Sequence, residues 1–270
     1  RTIGFVPTMG NLHQGHLSLL DKAKELSEVV VVSLFVNPTQ FGPGEDFDAY
    51  PRDLARDAAL CASVGCDAAF SPGDDEMYPP GSLTTVSVSA MTDHLCGSHR
   101  PGHFDGVTTI VSKLFHIISP DIAIFGQKDY QQLAVIRRMV RDLNFEVEIV
   151  GVPTVREEDG VAMSSRNRYL DGEDRIRARA LSAGLGKAWG AWQAGERESG
   201  ALLSLITQEI ARHPELTIDY VEAVDPDTLA PLEGRIADGC VIALAVHVGA
   251  ARLIDNLRLD GPLPDALSST

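Results

Sequence analysis

The sequence predicts an α/β protein, with a Rossmann-like parallel-sheet domain over residues 1–153, a smaller α+β domain over 154–260 that covers the site, and a disordered tail over 261–270. Three observations lead there. The apolar run over residues 29–36 lacks polar alternation, as a strand buried on both faces of a parallel sheet requires. Strand-like and helix-like segments alternate through the first 150 or so residues. Beyond Pro153 the texture changes to two long helices followed by strands, the pattern of an α+β unit.

Composition narrows the function classes. With 38 acidic and 23 basic residues the chain carries a net charge of −15, which opposes general adhesion to nucleic acid or to an anionic membrane. An anionic substrate then needs a local positive pocket. The longest apolar runs, over residues 29–36 and 241–246, are far too short to span a bilayer. No signal-peptide pattern is visible. Cys61, Cys66, Cys96 and Cys240 show no paired CxxC spacing and read as reduced thiols, so a cytoplasmic protein without disulfides or structural zinc is expected.

The first element in the chain carries chemistry. Residues 2–16 read as a short apolar strand, a Pro/Gly turn, and the opening of a helix that continues through Leu17, Leu20, Ala23 and Leu26. His13 and His16 then share one face of a first helical turn, where free backbone N–H groups and the helix dipole favour an anion. Gly10 and Gly15 let a phosphate approach the backbone closely. Either feature alone is common; their combination at this spacing points to phosphate. Zinc is the second alternative, but metalloprotease helices space their histidines by four with an adjacent Glu, and here the gap of three holds Gln14 and Gly15.

After the strand at 29–36 the chain enters a loop bearing Asn37 and Gln40, neutral side chains suited to hydroxyl and carboxylate oxygens, or simply a polar turn. Residues 51–64 read as a helix ended by Gly65, with Asp53 and Asp57 complementing its dipole rather than holding magnesium, and a strand follows at 67–70. Residues 83–89 alternate apolar and hydroxyl side chains as a strand does. Arg100 brings a planar cation to the loop before an apolar helix that reaches Ile118.

A strand at 121–125 runs into Gly126, Lys128 and Asp129, which repeat the opening geometry: backbone donors, one cation, and an acceptor able to take ribose hydroxyls. A helix with Val135, Ile136 and Met139 follows, then a strand at 145–152 and a strand-plus-turn at 154–160. Met163, Ser164, Ser165 and Arg166 supply hydroxyls and a guanidinium on a mobile-looking loop. Helices at 171–194 and 197–213 precede strands near 217–224, 239–247 and 251–255, and Trp189 and Trp192 are expected to pack.

His13-Gln14-Gly15-His16 resembles the HIGH signature of the nucleotidyltransferase superfamily, and Pro7-Thr8-Met9-Gly10-x-Leu12-His13-x-Gly15-His16 is similar to the version found in the pantothenate synthetase (pantoate–β-alanine ligase) family. Asn37-Pro38-x-Gln40-Phe41, the Arg100-Pro101-Gly102-His103-Phe104 run, Gly126-x-Lys128-Asp129-x-Gln131-Gln132, and a KMSKS-like Met163-Ser164-Ser165-Arg166 extend the likeness in the family's order over about residues 3 to 256. The resemblance implies ATP binding by Pro7, Thr8, Met9, Gly10, His13, His16, Gly126, Lys128, Asp129, Val155, Met163, Ser164, Ser165 and Arg166, with catalysis by His16, His13 and Lys128. It implies substrate binding by Gln40, Gln132, Asn37 and Arg100, magnesium travelling with ATP without a dedicated protein metal site, and a homodimer. The implied reaction condenses pantoate with β-alanine through a pantoyl adenylate. Residue chemistry alone leaves two competitors: a nucleotidyltransferase that passes AMP to a phosphorylated cofactor precursor, and a non-catalytic nucleotide sensor.

Overall fold

The computed structural model describes residues 1–237 and 239–261, so the tail expected to be disordered falls almost wholly outside the described residues. The chain divides into two compact units: Arg1–Asp93, Arg100–Gln127 and Val135–Val152 form the first, and His94–His99, Lys128–Ala134 and the chain from Pro153 onward form the second.

The first unit is built on β1 (Ile3–Thr8), α1 (Gln14–Leu26), β2 (Val29–Leu34), α2 (Leu54–Ser63), β3 (Ala68–Phe70), α3 (Asp74–Met77), and, beyond the short α4 (Cys96–His99) of the second unit, α5 (His103–Ile118) and β4 (Ile122–Gly126). The helix α6 (Tyr130–Asp142) and β5 (Glu148–Val152) follow. Five parallel strands lie in the order β3-β2-β1-β4-β5, so the strand order reverses between β1 and β4. In open α/β sheets ligands bind outside the carboxyl ends of the strands at such a switch point. Phe5, Val6, Val32 and Ile124 are fully buried, and α1 lays Leu19, Leu20 and Ala23 against the sheet. That is why these strands read as apolar runs.

The helix α2 ends in a left-handed Gly65 (φ +74°), with Gly65 N–H donating to the Ala62 carbonyl at 3.1 Å and Cys66 N–H to the Cys61 carbonyl at 3.0 Å. This is the glycine-terminated stop that the sequence signals. One expectation fails: residues 83–89 form no strand. Their backbone bonds go to a helix instead, with Val86 N–H donating to Thr109 Oγ1 at 2.9 Å and Thr108 Oγ1 to the Val86 carbonyl at 2.5 Å. Alternation marks a two-faced segment without saying which element supplies its hydrogen-bond partners.

The second unit packs α7 (Gly172–Gln193) and α8 (Ser199–Ile210) against an antiparallel sheet, β6 (Thr217–Val224), β7 (Val241–Val248) and β8 (Ala251–Arg258), in sequential order. Leu181, Leu185, Trp192, Leu202 and Ile206 meet Ile242, Leu244 and Val246 in one core. Trp192 packs as expected, and Trp189 donates its indole N–H to the Gly261 carbonyl at 3.4 Å.

Candidate active site

The segment that leaves β1 in the first unit is held by backbone conformation and by one carboxylate. Gly10 and Asn11 take positive φ (+78° and +51°). Asp57, 2% exposed on α2, accepts the N–H of Asn11 at 2.6 Å and of Leu12 at 2.8 Å, while Arg56 donates to the Leu12 carbonyl at 3.0 Å. A Cβ on Gly10 would stand 2.9 Å from Asp57 Oδ2, so the close approach adds to the positive φ in requiring glycine. Asp57 is therefore a structural acceptor for this loop, which corrects its reading as a dipole complement. Asp53 is the N-cap of α2, accepting from Arg56 N–H at 3.0 Å.

His13 and His16 form a reciprocal cap on α1. His13 lies at the N-cap, outside the helix proper, and its Nδ1 accepts the N–H of Gly15 at 3.2 Å; His16 Nδ1 accepts the N–H of His13 at 3.3 Å. The ring centroids are 4.1 Å apart. A ring nitrogen that accepts carries no proton, so the proton of each neutral ring resides on Nε2. The cap therefore fixes each ring as an Nε2–H donor at a helix N-terminus, which is the chemistry of an anion site.

After β2, Asn37 stands at the N-cap of a 3₁₀ turn, Pro38–Gln40, whose last residue is Gln40. Asn37 Nδ2 donates to Gln40 Oε1 and to the Gly106 carbonyl, each at 3.1 Å, and Tyr78 donates to Asn37 Oδ1 at 2.7 Å. Burial pushes the Tyr78 phenol above its usual range, so it stays a donor at neutral pH. Gln40 Nε2 points to Met9 Sδ at 2.9 Å, bringing together two segments that the sequence separates. Arg100 spends its fork on Glu45 at 2.7 and 2.5 Å and also donates to the Gln40 carbonyl at 3.3 Å. Its role here is to fasten the loop that follows Gln40. An open cleft of about 190 Å³ in this unit is lined in part by Met9, Gly10, Phe35, Asp53 and Asp57. Pro7 and Thr8 end β1, with Thr8 Oγ1 donating to the Ser33 carbonyl at 2.7 Å, and Gly126 ends β4.

The remaining candidates lie in the second unit. Lys128 and Asp129 occupy a 3₁₀ turn, Gln127–Asp129, that leads into α6, with Lys128 Nζ 3.9 Å from Asp129 Oδ1; Gln132 is half-buried in the first turn of α6. Val155 and Met163 face one another across a short hairpin, Met163 N–H donating to the Val155 carbonyl at 2.9 Å. Ser164 caps a 3₁₀ turn, Ser165–Tyr169, by accepting the N–H of Arg166 at 3.2 Å. Asn167 fastens this turn to Glu157 at 2.6 Å and to the Ala162 carbonyl at 3.1 Å, so the segment carries hydrogen bonds that its composition does not announce.

Sequence reasoning missed Asn256 and Asp255. Asn256 Nδ2 donates to the Lys128 carbonyl at 2.7 Å, and Asp255 holds Arg156 at 2.6 and 2.9 Å. The available signal was an Asp-Asn pair between the apolar Leu253-Ile254 and Leu257 of β8. Among the described residues no group of three or more His, Cys, Asp or Glu could hold a metal ion.

A family model described as pantoate-beta-alanine ligase matches residues 1–258. The chain is 57% identical over 259 residues to a pantothenate synthetase of Moorella thermoacetica, covering 96% of this chain and 91% of that protein. It is 56% identical over 260 residues to one of Heliobacterium modesticaldum, covering 96% and 92%. The crystal structure of pantothenate synthetase from Thermus thermophilus superposes with a TM-score of 0.92 at 49% identity, covering 96% of this chain and 94% of that one. A pantoate-beta-alanine ligase from Francisella tularensis, complexed with beta-gamma ATP and beta-alanine, gives a TM-score of 0.77 at 34% identity, covering 97% and 91%.

Proposed function

This chain belongs to the pantoate-beta-alanine ligase family and makes pantothenate from pantoate, β-alanine and ATP, and we propose that it does so through a pantoyl adenylate. The observation that carries the mechanism is the reciprocal histidine cap after β1. A carboxylate oxygen of pantoate forms a bond to the α-phosphorus of ATP; the bond from that phosphorus to the bridging oxygen breaks, and its electron pair leaves with pyrophosphate. The amine of β-alanine then bonds to the acyl carbon and loses a proton as the acyl C–O bond breaks and AMP departs.

His16 and His13, with Nε2–H donors preset by the cap, are assigned to the departing phosphate oxygens, where a preorganised donor is typically worth about 3 kcal/mol. Lys128, Ser164, Ser165 and Arg166 are assigned to the triphosphate, Asp129 to the ribose, and Val155 and Met163 to the adenine side. Pro7, Thr8, Met9, Gly10 and Gly126 are assigned as close backbone and side-chain neighbours of the nucleotide. Gln40, Asn37 and Gln132 are assigned to pantoate. The hydrogen bonds that prearrange Asn37 and Gln40 support that assignment. Arg100 joins the pantoate set through Gln40, whose carbonyl it holds. Magnesium enters with ATP as part of the substrate. Both oxygens of Asp57 already accept backbone N–H groups, which leaves the ion to the phosphate oxygens and water.

The reading includes a cytoplasmic location, which the four free cysteines support, and a homodimer. No helix among the described residues is long and apolar enough to cross a membrane, and the acidic balance argues against a nucleic-acid partner. Pyrophosphate release from ATP and magnesium with pantoate alone, then with β-alanine added, tests the scheme. Release dependent on pantoate and turnover on adding β-alanine are expected. Pyrophosphate release only when all three substrates are present would count against a free-standing adenylate step.

A further inference from the structure

We propose that Asp255 and Asn256 on β8 are positioning residues for the nucleotide chemistry, with Asn256 acting through Lys128. The inference rests on the assignment of Lys128 to the phosphates. Asn256, 8% exposed, donates to the main-chain carbonyl of Lys128 at 2.7 Å. That carbonyl lies inside the 3₁₀ turn Gln127–Asp129, so holding it fixes the peptide plane from which the Lys128 side chain departs. Among the described residues the ammonium has only a distant carboxylate neighbour, Asp129 at 3.9 Å, so the hold on Lys128 comes from the main chain rather than from an ion pair on its tip.

The preceding residue secures a second nucleotide segment. Asp255 receives both arms of Arg156, at 2.6 and 2.9 Å, and the two side chains are 1% and 2% exposed. Arg156 Nη1 also donates to the Gly160 carbonyl at 3.0 Å, closing the hairpin that carries Val155 and Met163. Asp255 Oδ1 in turn accepts the N–H of Asn256 at 2.8 Å, which links the two grips. One dipeptide of a strand buried in the second unit's core therefore fixes both the Lys128 turn and the Val155 hairpin. A buried ion pair is a weak source of stability compared with an apolar pair of the same volume. What a bidentate guanidinium–carboxylate pair does supply is direction, and an adenylate-forming site depends on direction.

The test is a double-variant cycle on steady-state rates in the full chain, using Asn256→Ala, Lys128→Ala and the pair together. Asn256→Ala is expected to lower kcat/KM for ATP by about tenfold or more, as small misplacements do. The Michaelis constant for β-alanine is expected to stay within about twofold, with thermal unfolding still cooperative. In the Lys128→Ala background the further loss from Asn256→Ala is expected to shrink to less than about twofold, because a residue that acts through another has nothing left to position. Asn256→Ser, whose hydroxyl is too short to reach the carbonyl, gives the same readings if the alanine variant does not fold. Additive losses in the double variant, or equal losses for all three substrates, would overturn the proposal. A Lys128→Ala enzyme with unchanged rates would instead remove the Lys128 assignment itself, and the proposal with it.

Discussion

Asp57 Oδ1 accepts the backbone N–H of Leu12 at 2.8 Å across 45 residues of sequence, and its other oxygen takes the N–H of Asn11. The carboxylate thus does for the approach to α1 what an N-cap does for a helix, from a different element. Replacing Asp57 by Ala leaves two N–H groups without acceptors in a site where the carboxylate itself is 2% exposed. The expected cost is about 2–4 kcal/mol of unfolding free energy, read from urea melts, and Asp57→Asn should lose less because one acceptor oxygen remains. An unchanged urea midpoint for Asp57→Ala would contradict the clamp.

His16→Asn separates the two jobs of that ring. The amide oxygen of Asn sits where Nδ1 accepts from His13 N–H, so the cap survives, while the Nε2–H donor is gone. Pyrophosphate release should fall by about a hundredfold or more with a change in stability under about 1 kcal/mol. Equal activity for His16→Asn and the parent chain would remove the histidine from the mechanism.

Gly106 stands on α5 beside the turn Pro38–Gln40, and a Cβ there would come within 2.4 Å of the Thr39 carbonyl oxygen and 2.6 Å of the Gln40 nitrogen. Backbone atoms cannot swing aside as side chains do. Gly106→Ala should therefore raise the Michaelis constant for pantoate severalfold and cost roughly 1–3 kcal/mol, with the constant for ATP much less affected. Isothermal titration with pantoate offers an independent check.

The hydrogen bonds from Arg100 hold the Glu45 carboxyl below its ordinary value of 4.5. A depressed folded pKa contributes stability that is present above the unfolded value and is lost as pH falls through the folded one. Glu45→Gln should accordingly lower the melting temperature at pH 7, and the gap to the parent chain should close as the pH is taken well below 4.5. A gap that widened in acid would reverse the assigned sign.

Burial pushes the Cys61 thiol up to about 11 and the Cys240 thiol up to about 12. Iodoacetamide should modify both slowly at pH 7, with mass spectrometry showing a rise of about tenfold in initial rate per pH unit while the fold persists.

Much of this architecture was legible in residue order. The β1 to α1 passage, the apolar β2 and the three C-terminal strands follow from periodicity and glycine placement, because each is specified by neighbours within a few residues. What stayed hidden depends on partners far along the chain. Asp57 looks like any acid in a first helical turn until Asn11 and Leu12 are seen against it. Residues 83–89 alternate like a strand, yet their partners are hydroxyls on α5. Arg100 has the chemistry to meet a substrate carboxylate, and its fork is filled by Glu45. Asn256 left one trace, an Asp-Asn pair between apolar residues of β8, and its partner at Lys128 lies 128 residues away.

The strand order β3-β2-β1-β4-β5 also sets a timetable for the nascent chain. The edge of β1 that will receive β4 waits for a segment joined to it at Ile3 and Asp121, 118 residues apart. At ribosomal speeds that is roughly ten seconds during which an apolar strand edge stands open. A slower ribosome over the residues between Ile3 and Asp121 would lengthen the exposure of that edge to aggregation.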